Sequence, residues 1–348
     1  MHRVEISGSS GRSLILVGEA FAGLERHLPS SGSVVVTDEN VLELYGGALP
    51  TLPVLSIAAG EGAKTLETVR GLYERLFELG ADRATMIVGV GGGVVCDVAG
   101  FLASTYLRGL RLGFVATTLL AQVDASVGGK NGVNLGGYKN LVGTFKQPEF
   151  VICDPSFLKT LPPAQVADGM AEIVKHALIA DAELFAFIEE NTAAALALEP
   201  RVVERLVLDS VHIKSSVVGR DERESGERRK LNFGHTFGHG LERAAGLSHG
   251  RAVSVGMVAA SALSVRKGLL APTDFDRIVR VLERLKLPTC ATADPGRVMD
   301  AVCRDKKREA GDIHFVLLEG IGRSTVEKLD AAELAAVFPD LPGTPIRE

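Results

Sequence analysis

Two hydrophobic rhythms divide the chain. Up to residue 154, short runs of β-branched and aliphatic residues alternate with segments whose apolar positions return every three to four residues. The runs SLILVG (13–18), SVVVTD (33–38), PVLSIAAG (53–60), TMIVGVGGG (85–93), LGFVATT (112–118) and FVICD (150–154) predict strands. Amphipathic stretches such as TLETVRGLYERLFELG lie between several of them. Strands alternating with helices predict a mostly parallel sheet with helices on its faces. The rhythm changes at PSFLKTLPPAQ, which carries three prolines. Beyond it the helical period dominates, in AQVADGMAEIVKHALIADAELFAFIEEN, PRVVERLVLDSVHIKSSVV, AVSVGMVAASALSVRKG and DFDRIVRVLERLK. In this second part only IHFVLLE (313–319) reads as a strand. The pattern therefore predicts an α/β domain over 1–155 and a mainly α-helical domain over 156–348.

Composition narrows the class. The 348 residues are 46% apolar and 23% charged, as in an ordinary globular enzyme, and the net charge of -5 argues against nucleic-acid or membrane-surface partners. No run approaches the ~18 apolar residues of a membrane span, and the N-terminus lacks a signal-like apolar core. Cys96, Cys153, Cys290 and Cys303 show no paired spacing, which suits reduced thiols in the cytoplasm.

The 39 glycines cluster, and clusters suggest backbone that must approach a ligand closely. VGVGGGVVCDVAGF (88–101) is a strand, a glycine turn and a helix, placed at the fourth predicted strand. A pyrophosphate can meet such a helix N-terminus, but a tight structural turn reads the same way. TDEN (37–40) ends a strand with Asp38, suited to a ribose hydroxyl or to a simple turn, and AGEGAKT (59–65) offers Glu61 and Lys64.

LNFGHTFGHGLERAAGLSHG (231–250) holds three of the eight histidines. His235 and His239 stand one helical turn apart, and His249 follows ten residues later. With Glu172 of GMAEIVKHALI they make four candidate ligands for a metal that typically takes three protein groups and keeps a position open. Lys175 lies one turn from Glu172 in a segment too apolar for a solvated ion pair, while His176 reads as structural. Lys130, Lys139, Lys214 and Lys306 also sit where a wet surface explains them poorly. A local positive cluster in an acidic chain suggests a small anionic substrate. In RDERESGERRK most charges read as surface, with Arg228 the exception that only context singles out.

From Thr37 onward the chain resembles the 3-dehydroquinate synthases, within the sugar-phosphate cyclases. GGGVVCDVAGFLASTYLRG, VATTLLAQVDASVGGK, KNLVGTFKQP, GMAEIVKHALI, LNFGHTFGH and HGRAVSVGM carry the resemblance, in the family's order and spacing. It implies an N-terminal α/β nucleotide-binding domain and a C-terminal α-helical domain with the active site in the cleft between. It further implies bound NAD, a divalent zinc or cobalt ion, and a homodimer. The residues implied at NAD are Asp38, Glu61, Gly62, Lys64, Gly93, Val94, Val95, Cys96, Asp97, Thr117, Thr118, Lys130, Lys139, Phe157, Leu158, Lys159 and Thr160. Glu172, His235 and His249 are the implied metal ligands. His239 is given instead to the substrate phosphate, with Lys130, Asn140, Lys306 and, from the other subunit, Arg108. Lys214 and Arg228 are implied at a carboxylate; Asp124, Lys175 and Asn232 at ring hydroxyls. Arg251, Tyr138 and Asn131 depart from the usual family pattern.

The activity implied is conversion of 3-deoxy-D-arabino-heptulosonate 7-phosphate to 3-dehydroquinate and phosphate, a step of aromatic amino acid biosynthesis. It proceeds by transient oxidation, β-elimination, reduction and intramolecular aldol closure. Three alternatives compete: a metal- and NAD-dependent alcohol or glycerol-phosphate dehydrogenase, a cyclase acting on another sugar phosphate, and a non-catalytic binding module that keeps the fold, against which the complete set of implied ligands and anion contacts argues. The lysine cluster favours a cyclase over simple oxidation, because phosphate elimination needs an anion clamp. Leu231, His239, Lys214 and Lys306 suit the dehydroquinate branch.

Overall fold

The computed structural model describes residues 1–30, 32–306, 312–330, 332, 334 and 335, without the side chains of 303–306 and 312. Two compact units form: Met1–Leu161 with Lys214–Glu222, and Pro162–Ile213 with Arg223–Glu348.

The first unit is built on a seven-stranded sheet in the order β1-β2-β9-β6-β5-β3-β4. Its strands are β1 (His2–Gly8), β2 (Gly11–Val17), β3 (Ser33–Asp38), β4 (Val54–Ile57), β5 (Met86–Gly91), β6 (Arg111–Ala116) and β9 (Phe150–Cys153). All pairings are parallel except the β1–β2 hairpin. Strands β5 and β9 are buried along their whole length, so they read as continuous apolar runs instead of alternating ones. Helices α1 (Glu39–Tyr45), α2 (Leu66–Glu78) and α3 (Gly93–Thr105) complete the α/β part. The core on one face joins Leu16, Val35, Val88, Val115, Ile152 and Phe157.

The sequence pattern passed over β1 and the separate hairpin β7 (Lys130–Leu135) with β8 (Tyr138–Phe145). In β1 only Val4 and Ile6 face inward, too few to register as a run. The hairpin is rich in Gly, Asn and Lys, and Gly132 faces Gly143 across it; a Cβ on either would lie within 2.8 Å of the other strand's backbone oxygens. Because β1 exists, the glycine turn follows the fifth strand, not the fourth.

The second unit contains α4 (Pro163–Ala180), α5 (Ala182–Leu196), most of α6 (Pro200–Arg220), α7 (His235–Ala245), α8 (His249–Arg266), α9 (Pro272–Arg284) and α10 (Pro295–Lys306). The helical period across 164–191 is broken at Asp181, whose carboxylate caps α5 by accepting from the Glu183 and Leu184 amides. IHFVLLE is β10 (Asp312–Gly320), paired with a second strand, β11 (Arg323–Asp330). The polar alternation RSTVEKLD conceals that partner.

Glu222 explains why the end of α6 belongs to the first unit. Its carboxylate accepts from the Ser9 amide at 2.7 Å, the Ser9 hydroxyl at 2.5 Å, the Ser10 amide at 3.2 Å and the Ser10 hydroxyl. Gly8 leaves room for this, since a Cβ there would stand 2.5 Å from Glu222 Oε1. Burial raises this carboxyl, but the Ser10 and Ser9 hydrogen bonds outweigh it and bring it down to about 2.

Candidate active site

In the first unit, β3 leads outward to β4 and β5 then returns to the other side of β3. The chain's direction across the sheet thus reverses between β3 and β5, and open α/β sheets bind ligands at the strand carboxyl ends of such a point. Asp38 and the glycine turn stand there, on adjacent paired strands. A Cβ on Gly91 would lie 2.5 Å from Val95, and one on Gly92 would lie 2.9 Å from Thr118. The turn is therefore restricted to bare backbone, and α3 begins with its N-terminal amides at the turn. This geometry fits a dinucleotide.

The side chains sort the implied cofactor residues. Asp38 caps α1, accepting from the Val41 amide at 2.9 Å, so its structural and ligand readings share one carboxylate. Lys64 reaches Asp97 in an ion pair; burial raises the Asp97 carboxyl and the Lys64 ammonium opposes it. Glu61 accepts from Asn134 at 2.8 Å, beside the Gly62 turn, which has open space at its Cβ position. Val95, Cys96, Phe157 and Leu158 point into the core, so only their backbone could meet a ligand, whereas Val94, Lys159 and Thr160 are at least partly exposed. Thr117 is buried, and the Thr118 hydroxyl accepts from the Ala121 amide at 3.1 Å.

Lys130, Lys139 and Asn140 lie exposed on the β7–β8 hairpin, with Asn140 in a left-handed conformation at φ 54°. Arg108 is exposed on a turn where it and Leu107 both take positive φ, 70° and 48°. A left-handed conformation costs a non-glycine residue on the order of 1–2 kcal/mol. Lys214 donates to both the Asp124 carbonyl and Asp124 Oδ1 at 2.6 Å. Asn131 donates to the Gly129 and Lys146 carbonyls and ties the hairpin base beneath Gly100 of α3.

In the second unit three helices converge. Glu172 on α4 is fully buried in an ion pair with Lys175, one turn on. His235 opens α7 and His249 opens α8. Their Nε2 atoms lie 3.7 and 3.3 Å from Glu172 Oε1, and the three groups offer ligand atoms within 4.8 Å of one another. Each imidazole is oriented from behind: His235 Nδ1 donates to the Phe233 carbonyl at 3.2 Å, and His249 Nδ1 to the Glu242 carboxylate at 2.6 Å. Both Nε2 atoms are thereby turned toward Glu172, the arrangement that fixes metal-ligating histidines. One carboxylate and two imidazoles suit a zinc-type ion with an open position.

Close backbone approach makes this convergence possible. A Cβ on Gly250 would fall 2.3 Å from the Asp168 Cα on α4, and one on Gly256 would fall 2.0 Å from the Gly234 carbonyl oxygen. Asp168 also accepts from the Ser248 hydroxyl at 2.7 Å and the Arg251 amide at 3.2 Å, capping α8. Position 251 contributes its backbone to this cap, and its side chain is exposed.

His239 stands outside the ligand group, exposed, with its ring 5.4 Å from that of His235. His176 is buried, with Nδ1 against the Ser210 hydroxyl. Arg228 is buried, and Asn232 donates to Glu224. Glu222 and Glu224 were hidden in what reads as a surface charge run; only the positive φ of Glu224, 61°, sets it apart, and that is a structural signal. The Lys306 side chain lies outside the described residues.

Burial and Lys175 hold the His235 imidazole well below its ordinary value. Burial also pulls His249 down, but the hydrogen bonds it donates to Glu172 and Glu242 prevail and push it up to about 10. His249 therefore carries a proton at neutral pH until a metal displaces it. Between pH 7 and 9, metal affinity is expected to rise roughly tenfold per unit, with about one proton released per ion bound. Titration calorimetry in buffers of different ionisation heat measures this; no released proton would contradict it.

The 3-dehydroquinate synthase N-terminal family matches residues 54–168 and the 3-dehydroquinate synthase C-terminal family matches 169–308. A 3-dehydroquinate synthase of Symbiobacterium thermophilum is 45% identical, over 87% of this chain and 88% of that one. One of Dehalococcoides mccartyi is 40% identical, over 93% and 94%. Among solved structures, 2-deoxy-scyllo-inosose synthase complexed with carbaglucose-6-phosphate, NAD+ and Co2+ is 30% identical with a TM-score of 0.87, covering 98% of this chain and 100% of that one. An iron-containing alcohol dehydrogenase of Thermotoga maritima, 15% identical with a TM-score of 0.66 over 94% and 96%, shares the fold alone. On the matched domains and the relatives at 40–45% identity, the chain belongs to the 3-dehydroquinate synthase family.

Proposed function

We propose that the chain converts 3-deoxy-D-arabino-heptulosonate 7-phosphate to 3-dehydroquinate and inorganic phosphate. The observation that carries this reading is the Glu172–His235–His249 cluster, with both imidazoles turned by hydrogen bonds to present Nε2, in a chain whose 40–45% identical relatives are 3-dehydroquinate synthases. When bound, NAD supplies reversible hydride transfer at C5 and the divalent ion, zinc or cobalt, polarises the C4 and C5 hydroxyls.

The chain's own residues bind and orient. Glu172, His235 and His249 hold the ion. The glycine turn from Gly93 to Asp97, with Asp38, Glu61, Lys64, Lys139 and Thr160, holds the dinucleotide. Lys214 and Arg228 clamp the substrate carboxylate through charge-assisted hydrogen bonds, while Asp124, Lys175 and Asn232 meet ring hydroxyls. His239, Lys130, Asn140 and Lys306 receive the phosphate, which leaves by β-elimination. His239 lies outside the ligand group and is exposed, so it can hydrogen-bond the phosphate or move its proton. Arg108, presented on its strained turn, reaches the phosphate of a second copy in a homodimer. The buried thiols Cys96 and Cys153, both pushed up by burial, suit a reduced cytoplasmic setting.

In an assay holding protein, NAD, divalent metal and the heptulosonate phosphate, phosphate and dehydroquinate are expected in equal amounts while bulk NADH stays flat. NADH accumulating in step with substrate loss would instead establish a dehydrogenase.

A further inference from the structure

We propose that Glu222 is a positioning residue that sets Lys214 at its place against Asp124. The inference rests on the reading of Lys214 as a substrate-carboxylate contact and adds the device that holds it there.

Lys214 and Glu222 bracket the part of α6 that belongs to the first unit. Lys214 lies within the helix, and Glu222 follows two residues after its end at Arg220. A helix rises ~1.5 Å per residue and is stiff, so fixing its exit fixes the axial position of a side chain two turns back. The exit is fixed by the Ser9 and Ser10 amides and hydroxyls, all directed at one carboxylate. Gln147 adds a donor at 3.4 Å. Gln147 also packs on Gly129, where a Cβ would lie 3.1 Å from its side-chain amide, and Gly129 precedes Lys130. One carboxylate thus registers the helix carrying Lys214 on the hairpin turn of β1–β2 and beside the base of the β7–β8 hairpin.

The need for that register lies in the short hydrogen bonds of Lys214, 2.6 Å to both the carbonyl and Oδ1 of Asp124. A long flexible ammonium held by two acceptors at one residue depends on where its backbone stands. Without the clamp, the last turns of α6 can shift along the unit, and Lys214 meets a substrate carboxylate from a wider range of positions.

A double-mutant cycle on the full-length, metal- and NAD-loaded enzyme tests this, with KM for the heptulosonate phosphate as the readout. Glu222→Ala is expected to raise KM about tenfold in the native background, the scale of removing one charge-assisted hydrogen bond. In a Lys214→Met background the same change is expected to alter KM less than about twofold, because a residue acting through Lys214 has nothing left to position. NAD affinity and metal content stay at native levels in both. Glu222→Gln, which keeps the shape and removes the charge, gives the same pattern if the alanine variant folds poorly. An equal rise in KM in both backgrounds, or no rise in either with Lys214→Met itself impaired, overturns the positioning role alone. A Lys214→Met enzyme with native KM overturns the carboxylate reading of Lys214, and the positioning role with it.

Discussion

His239→Ala retains close to one metal ion per chain yet turns over at least a hundredfold slower, the usual scale for removing a proton-transferring group. Glu172→Ala, His235→Ala and His249→Ala lose the ion and with it all activity. The division follows from geometry. Glu172, His235 and His249 bring their ligand atoms within 4.8 Å of one another, and His239 lies outside that group although it is His235's neighbour by one helical turn. A fourth protein ligand would close the site, and a closed tetrahedral site suits structure better than catalysis. Glu242→Gln falls between these extremes: it removes the carboxylate behind His249 and weakens metal affinity by about 10–100-fold, the range for partners of this kind. Metal analysis of the purified variants decides. Loss of metal from His239→Ala as complete as from His235→Ala, with metal retained by His249→Ala, would restore the simple i, i+4 pair.

Gly256→Ala has the second largest effect, through the scaffold. Its added methyl would stand 2.0 Å from the Gly234 carbonyl oxygen, backbone that cannot swing aside as a side chain can. The helices α7 and α8 must separate, and Gly234 directly precedes His235. Overpacking of this kind costs about 3 kcal/mol, and the separation also pulls His235 from His249, whose ring centroids now lie 5.3 Å apart. The variant is expected to melt several degrees lower and to bind metal at least tenfold more weakly. Gly71→Ala is the internal control: it lies within α2 with nothing within 4 Å of a Cβ, so alanine should stabilise by roughly 0.5–1 kcal/mol through helix propensity. Equal melting temperatures for the two variants would contradict this account of α7–α8 packing.

The inner parallel strands such as β5 and β9 were legible because burial on both faces writes them as unbroken apolar runs. The outermost strand β1, the glycine- and lysine-rich hairpin β7–β8 and the polar β11 were not, because each gains its order from pairing and not from its own pattern. The candidate site's residue types could be read from the sequence, and the family resemblance proposed a division among the histidines, of which the grouping of Glu172, His235 and His249 is seen in the structure. The site's orienting hydrogen bonds were not legible. Glu242, seven residues from His249, reads as an ordinary helical acid, and Asp168 as one more charge before α4's apolar run. Glu222 was hidden most completely, since its partners Ser9 and Ser10 lie more than 210 residues away. Spacing within an element carries information about chemistry, and long-range hydrogen bonds leave little trace in it.

In the function proposed, the chain oxidises its substrate only transiently and returns the hydride it removes. Substrate deuterated at C5, turned over with excess unlabelled NADH in solution, tests this directly. Dehydroquinate that keeps the deuterium at the corresponding carbon, with none entering the NADH pool, is the expected result. Deuterium accumulating in NADH, with the oxidised sugar phosphate as product, would contradict it.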